Sequence, residues 1–345
     1  MASRRWLSLL VALTGLLACD SDSSQGNRAG ASRATLASDR GSASKAPPWS
    51  AAKPPDSGIR HSFELANAKA SPADRERAAD IVRRRLRAVK LGSFAVRVEG
   101  EFVVVDLPTA TTPSTEELLD IIRRQGRLEF KLIDDDTDWL SPAADDDDIP
   151  LLTIEEESAP VGRDRYELRN FATLRTGVGG DHREGLRWLR KWAKTRTVDD
   201  DHEVGFEALY DDSAAGQPQV GWRSYYLWRN VEIDGRSIAK VEAKADDRGG
   251  MGNWSVLIDF DRNGTARLAE LTRRNIRRRM AIVSDGIVVS APVILDTISG
   301  GAVRVTMGGG SLAQQRKEAR ALAILLQVEA LPHALSPAKQ EPFGR

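Results

Sequence analysis

The most constraining feature of the sequence is an ordered series of hydrophobic patterns in its first folded region. Apolar residues alternate in four segments, which predicts four strands. These segments are 61–66, 94–98, 102–107 and 127–133. Apolar residues recur at helical spacing in 72–91 and 114–122, which predicts two helices. The order βαββαβ is that of a ferredoxin-like module. We therefore predict an α+β fold that begins with a ferredoxin-like base at residues 59–134.

Capping signals support both helices. Ser71 precedes Pro72, so that a cap is followed by proline at the first helical position. Gly92 stands where a left-handed C-cap is expected. Ser114 and Glu117 have the spacing of a capping box and predict the start of the second helix.

Composition limits the function classes. The chain has 345 residues, which suggests about two domains. Its 50 basic and 50 acidic residues give a net charge of zero, which argues against nucleic acid as the main partner. A charged fraction of 29% excludes a multi-pass membrane protein. The single cysteine cannot form an internal disulfide, and four dispersed histidines give little basis for a metal site.

The first 18 residues have the pattern of a signal peptide. Arg4 and Arg5 precede an apolar stretch at 6–17, which is too short to span a hydrocarbon core of ~30 Å. Cys19 follows Leu-Leu-Ala, a sequence that resembles a bacterial lipobox, in which the cysteine is acylated after cleavage. We predict lipidation at Cys19; a chance cysteine in an ordinary secretory signal is the alternative.

Residues 19–58 are rich in Ser, Ala, Gly and Pro, a composition that predicts a flexible tether.

An acidic run follows the base and contains eight aspartates between residues 134 and 148. A calcium loop alternates its ligands and places a glycine between them, and this run does neither. We therefore predict a solvated surface loop.

The acidic run is the start of an irregular insertion, which we predict at residues 135–220. Within it, the Asp-Asp-Asp-His sequence at 199–202 predicts a polar turn rather than a metal cluster.

Aromatic residues gather in the insertion and directly after it. They are Trp188, Trp192, Trp222, Tyr226 and Trp228. Such a group can line a groove for an extended apolar peptide. Packing in the hydrophobic core is the alternative, and the sequence leaves both open.

Strong strand and helix signals return at 221–335 and predict a mixed α+β head. The Asp285-Gly286 pair predicts a tight hairpin, and Ser311 predicts the cap of a last helix. Residues 291–295 and 302–306 are expected to pair as strands, and 336–345 to form a tail.

Five arginines lie between residues 273 and 279. We interpret them as a solvated face opposite the acidic run. Contact with lipid headgroups or with an acidic partner is the alternative.

Linked motifs in this order resemble the first periplasmic domain of SecD, the membrane subunit that assists the bacterial Sec export channel. The motifs that resemble its head are 260–272, 279–286, 289–294, 298–301 and 322–332. Those that resemble its base are 81–85, 103–108 and 126–130. The resemblance spans about residues 63–335 and implies a ferredoxin-like base followed by a head, in agreement with the hydrophobic patterns.

The sequence departs from the family in two ways. SecD continues into a bundle of transmembrane helices, whereas ten residues follow Leu335 here and no window elsewhere reaches ~18 consecutive apolar residues. Glu329 replaces a glycine that the family usually has before Ala-Leu-Pro. We therefore expect Cys19 to act as the anchor in place of the first transmembrane helix, and we expect no proton-driven activity.

The resemblance implies a non-enzymatic accessory of protein export. It would bind emerging polypeptide or Sec translocase components at the periplasmic face of the inner membrane, with the outer membrane as an alternative location. The second hypothesis is a repurposed SecD-like envelope lipoprotein that binds another protein or a ligand. No nucleophile elbow, metal-ligand pair or phosphate loop is present in the sequence, so we expect no catalytic residue, metal or cofactor.

Overall fold

The computed structural model describes residues 53–137, 139–140, 152–160, 166–211, 213–245, 253–307 and 309–344. The predicted signal peptide, Cys19 and most of the predicted tether lie outside these residues. The helices are α1 (Pro72–Ala88), α2 (Thr115–Arg123), α3 (His182–Ala193), α4 (Arg262–Arg274) and α5 (Leu312–Gln327). Among the described residues, no helix is both long enough and apolar enough to cross a bilayer.

Fifteen strands accompany the helices in the described part of the chain. They are β1 (Gly58–Leu65), β2 (Ala95–Glu99), β3 (Phe102–Leu107), β4 (Leu128–Leu132), β5 (Leu152–Pro160), β6 (Tyr166–Arg175), β7 (His202–Tyr210), β8 (Gln219–Trp228), β9 (Ile233–Asp234), β10 (Ile238–Ala245), β11 (Trp254–Phe260), β12 (Met280–Ser284), β13 (Ile287–Ser290), β14 (Ala302–Thr306) and β15 (Leu335–Phe343).

The strands form four antiparallel sheets, and the predicted α+β class is confirmed. The base sheet has the order β15-β1-β3-β2, and the middle sheet has the order β5-β6-β8-β7. Two further sheets, β10-β11-β14 and β13-β12-β4-β9, share one hydrophobic core with α4 and α5. Ile133, directly after β4, bridges to Leu227 of β8 and so links the middle sheet to the head.

The helices of the base begin where the capping signals predict. Ser71 accepts a hydrogen bond from the Asp74 backbone N–H, and Ser114 accepts one from Glu117, so both caps are formed. The end of α1 differs from the prediction, because Lys90 rather than Gly92 adopts the left-handed conformation, with φ 62°. The Leu91 N–H then bonds back to the Leu86 carbonyl and closes the helix before Gly92 is reached.

The fourth strand of the base is not the predicted one. The segment predicted at 127–133 does form β4, but β4 pairs with β12 and β9 in the head. Leu128, Phe130 and Leu132 all belong to the head core, and Lys131 on the opposite face is also buried. A strand that is covered on both faces is suited to the centre of a sheet rather than to an edge.

The predicted tail at 336–345 instead supplies the missing strand. β15 pairs with β1 from Leu335 to Phe343 and occupies the edge beside it. Most of its side chains are exposed, and it contains Pro337 and Pro342, which protect an edge from further pairing. This polar, proline-containing composition explains why the sequence pattern indicates a tail.

Two expectations about the head have different outcomes. The hairpin at Asp285-Gly286 is confirmed: φ is 51° and 78° at these residues, and β12 and β13 pair across them. The expected pairing of 291–295 with 302–306 is wrong. β14 pairs with β11, while Val293 forms an isolated bridge to Arg279, because Pro292 lacks an N–H and interrupts a regular ladder.

Candidate functional site

Five aromatic rings in successive contact, two pairs stacked and two tilted, form a column beside the middle sheet. In order, it contains Trp192, Trp139, Tyr226, His202 and Trp228. The Trp139 and Tyr226 rings lie 5.2 Å apart at 15°, and the Tyr226 and His202 rings lie 4.5 Å apart at 8°. Each such ring pair contributes about 1 kcal/mol beyond the area it buries. We call these five residues the ring column.

Strand register and one helix place most of the ring column. Tyr226 and Trp228 are two residues apart on β8 and therefore share a face. His202 is the register partner of Trp228 on β7, which brings its ring alongside both. Trp192 comes from the last turn of α3, and Trp139 comes from the chain after β4. The column thus joins four segments that are distant in sequence.

The structure brings together three of the five predicted peptide-binding residues. Trp192 and Tyr226 are buried in the column, and Trp228 is half-buried at its end. Trp222 makes no ring contact within the column but packs in the hydrophobic cluster that also contains Trp139 and Trp192, and its indole N–H donates to the His182 carbonyl at 2.7 Å. Trp188 lies elsewhere, on the outer face of α3, with 46% of its surface exposed.

A cavity of about 190 Å³ opens beside the ring column. Its apolar wall is formed by Trp139, Leu140, Ile154, Phe171, Tyr225 and Tyr226. Ile154 is more than one-third exposed. Small-molecule sites usually measure ~300–1,000 Å³, so this cavity has the size for one or two side chains rather than for a large ligand.

Charged groups in and around this cavity are held in ion pairs. Arg279 is buried and forms a bidentate pair with Asp135, one arm of which measures 2.8 Å. Arg223 pairs with Glu207 at 2.6 Å, and Glu207 also accepts a hydrogen bond from the Tyr225 hydroxyl at 2.7 Å. Both guanidinium groups lie within 5.5 Å of the Tyr225 ring centre, in cation–π geometry.

The environment moves the pKa values of these groups away from neutrality. Burial raises the pKa of Tyr225 and of Tyr226 above the ordinary tyrosine value. Burial alone lowers the pKa of Arg223 and Arg279, but Glu207 and Asp135 respectively outweigh it and raise both. All four side chains therefore keep their protons at neutral pH and serve binding or packing better than proton transfer.

The residues after α3 do not converge on one ion. His202 lies between two carboxylates, with Nδ1 2.7 Å from Asp201 and Nε2 3.2 Å from Asp134. The Nε2 contact lies outside hydrogen-bond geometry, so that buried nitrogen has no hydrogen-bond partner. Asp199 instead accepts from the Tyr226 hydroxyl at 3.0 Å. Across the described ranges, no three His, Cys, Asp or Glu side chains are placed to hold a metal ion.

The acidic run and the arginine cluster agree only in part with the predicted solvated surfaces: Asp136, Arg273, Arg274 and Arg277 are exposed, whereas other members face the interior. Asp134 and Asp135 line the cavity, and Asp135 holds Arg279, the last member of the arginine cluster. Arg279 is 5% exposed, so it forms part of the interior. Asp138 and the aspartates at 145–148 lie outside the described residues.

Sequence reasoning missed three side chains of this site: Trp139, His202 and Phe171. Trp139 stands inside the acidic run, where the charge pattern dominates the prediction. One signal was available, because Trp139 and Leu140 are the only large apolar residues between 134 and 148. A buried apolar pair in such a run indicates that the chain returns to the core there.

Comparisons with known proteins agree with the resemblance found in the sequence. Residues 207–333 match the family model of the SecDF P1 head subdomain. The protein translocase subunit SecD of Acetobacter pasteurianus is 37% identical over 118 residues, which are 34% of this chain and 21% of that protein. SecD of Syntrophobacter fumaroxidans is 27% identical over 266 residues, which are 77% of this chain and 38% of that protein.

A solved structure extends the likeness to the fold. A crystal structure of SecDF in its super-membrane-facing form matches with a TM-score of 0.52 and 20% identity, covering 86% of this chain and 32% of that one. The resemblance to a SecD periplasmic domain is confirmed. The chain spans about a fifth to two-fifths of the length of these two SecD proteins.

Proposed function

We propose that this protein is a non-enzymatic accessory of protein export. It binds polypeptide that emerges from the Sec channel, or Sec components themselves, at the periplasmic face of the inner membrane. The observation that carries the proposal is the match of residues 207–333 to the SecDF P1 head subdomain. The matched relatives are named as protein translocase subunits.

The cavity beside the ring column is the proposed polypeptide-binding site. Its wall is aromatic and aliphatic, and Ile154 gives it a solvent-facing apolar side chain. An extended polypeptide presents side chains one at a time, and a cavity of about 190 Å³ suits one or two of them. Tyr226 is the predicted peptide-binding residue that lines this cavity directly. Trp192 and Trp228 support it through the column.

A photo-crosslinking amino acid at Ile154 tests this function in living cells. The matched control replaces Leu312 on α5, which is half-exposed but does not line the cavity. We expect the Ile154 probe to capture diverse exported chains or Sec components, and the Leu312 probe to capture few of either. Equal capture from both positions, or capture of neither class, would contradict the proposal.

The proposed anchor is an acylated Cys19, which would hold the body at the membrane through the tether. Replacing Cys19 with Ser should release the protein from membranes washed at high salt, because acyl chains provide the attachment that salt does not screen. Membrane attachment that is unchanged in this variant would disprove the anchor without affecting the proposed binding site.

A repurposed envelope lipoprotein is the second candidate function. It is favoured by the position of Trp139, Trp192 and His202, which lie outside the residues matched to the head subdomain. Because these three rings lie outside the matched head subdomain, the ring column can bind a partner other than exported polypeptide. Repeated capture of one folded protein by the Ile154 probe would select this alternative.

A further inference from the structure

The exposed face of α3 carries a stripe of five cations. They are Arg183, Arg187, Arg190, Lys191 and Lys194, and all are exposed. At 3.6 residues per turn these positions fall within roughly 100° of the helix circumference. None of the five forms an ion pair with a side chain in the described part of the chain, and Arg190 contacts the Phe206 ring, with its guanidinium 6.0 Å from the ring centre. We call these residues the basic stripe.

Helix stability explains only one end of the basic stripe, because Arg190 and Lys191 lie in the last turn of α3, where the macrodipole favours cations. Arg183 lies in the first turn, where a cation opposes the helix macrodipole. Arg183, Arg187 and Lys191 follow one another at four-residue spacing, and like charges at that spacing destabilise a helix. Glu184 is the single acidic residue within α3. Arg183 and Arg187 in the first half of α3 therefore bring no benefit to the isolated helix, which indicates an external anionic partner.

Trp188 borders the basic stripe and gives it a second chemical character. Its indole is 46% exposed, and the Lys191 ammonium lies 5.1 Å from the ring centre. The opposite face of the helix is held in the middle sheet by Leu189 and Trp192. Helix α3 thus presents cations beside an amphipathic ring, as helices that lie in a membrane interface do.

We propose that α3 docks this protein on a bilayer of anionic phospholipid. The arginines and lysines would contact headgroup phosphates, while the Trp188 ring enters the interface beside them. Each cation near an anionic surface contributes about fivefold to partitioning at low ionic strength. The stripe lies outside the residues matched to the head subdomain, and this proposal goes beyond polypeptide binding.

A bilayer fits these observations better than an acidic polypeptide. An acidic polypeptide needs only the cations, whereas the exposed indole is suited to the boundary between headgroups and acyl chains. Arginine also forms bidentate hydrogen bonds with phosphate oxygens, which strengthens a phospholipid contact.

Vesicle co-sedimentation of the full chain tests the proposal. Vesicles of phosphatidylcholine alone are compared with vesicles that also contain phosphatidylglycerol. We expect Arg183→Gln/Arg187→Gln to reduce partitioning into the anionic vesicles by about 25-fold. The control Arg262→Gln/Arg267→Gln removes the same charge from the exposed face of α4 and should change it less than twofold. All variants carry the same N-terminal segment, so differences report on the helices.

Quenching by brominated lipid provides the second readout. Trp188→Phe should reduce the lipid-dependent quenching of tryptophan fluorescence to the level contributed by the N-terminal Trp6 and Trp49, while leaving the thermal unfolding midpoint unchanged. Equal loss of binding in the α4 control, or undiminished binding in the α3 variant, would overturn the proposal. Complete competition by soluble polyglutamate, with quenching that does not depend on Trp188, would assign the stripe to an acidic polypeptide instead.

Discussion

The base sheet and the ring column both bury polar groups, but different contacts hold them together. In the base, Asp106 lies between Arg60 and Arg97 from the two strands that flank β3. In the column, five rings from four segments contact one another without any ion pair between them. Local patterns specify the helix starts and three strands of the base, whereas its edge strand β15 and the whole column depend on the completed fold. The two regions should respond differently to substitution.

The largest effect is expected at Arg85 in the base. This side chain is fully buried and donates to the backbone carbonyls of Ile121, Arg124 and Gln125 at the end of α2. Burial lowers its pKa to about 10, so it remains charged at neutral pH. Arg85→Met should reduce the free energy of unfolding by about 3 kcal/mol, because those carbonyls lose their donors.

Urea unfolding measures this change, and Arg84→Met is its matched control. Arg84 is the neighbouring residue on α1 and is about half exposed. Its replacement should cost less than about 0.5 kcal/mol. Equal destabilisation by both variants would show that Arg85 does not support the base through the end of α2.

Asp106 provides the next largest effect. Burial raises its pKa, but Arg60 and Arg97 outweigh burial and hold the pKa below the ordinary aspartate value. Asp106→Asn should reduce the free energy of unfolding by about 2 kcal/mol at neutral pH. The aspartate contribution is present above about pH 3.9 and disappears as the pH falls through the lowered pKa.

Acid unfolding curves test the Asp106 prediction. The wild-type protein should lose stability more steeply than Asp106→Asn below about pH 4. Parallel curves for the two proteins would show that the carboxylate does not carry the charge interaction inferred from its position.

These differences show how far the sequence specifies the structure. Ser71 and Ser114 predict both helix starts in the base, because a cap depends on residues within one turn. The edge strand beside β1 could not be predicted. The segment around Phe130 has the pattern of a base strand, yet Phe130 packs against Phe260 in the head, and β15 takes the place beside β1. Trp139 was missed for a related reason, since its neighbours in sequence are acidic while its contacts are distant rings.

Trp139 is expected to have a moderate effect on binding. Its ring lines the cavity and stacks on Tyr226. Trp139→Leu should weaken the affinity for an unfolded exported polypeptide about tenfold, which corresponds to the ~1.4 kcal/mol of one or two ring contacts.

Fluorescence anisotropy of a labelled polypeptide measures this affinity. Trp188→Leu is the matched control, because Trp188 is exposed on α3 away from the cavity. It should change the affinity less than twofold. A larger loss from Trp188→Leu than from Trp139→Leu would move the polypeptide site from the cavity to α3.

The smallest effect is expected at His61, on the buried face of β1. Burial lowers its pKa, with Asp106 opposing the shift, and its Nε2 has no hydrogen-bond partner. The unfolded chain therefore binds a proton more readily than the folded one, and stability should decrease as the pH falls below about 6.5. Above that pH the effect should vanish.

His61→Leu should remove this part of the pH dependence. Thermal unfolding of both proteins between about pH 5 and pH 7.5 measures the difference. The wild-type midpoint should fall on the acid side, while the variant midpoint should stay more nearly constant. Identical slopes for the two proteins would rule out a contribution from His61.

Hydrogen exchange tests most directly whether the cavity beside the ring column binds polypeptide. Amide exchange is measured in the full chain with and without an excess of an unfolded exported polypeptide. The proposed site predicts slower exchange on β6 and β8 around Phe171 and Tyr226, and unchanged exchange on β1 and β3 of the base. Protection confined to the base, or no protection in either region, would contradict it.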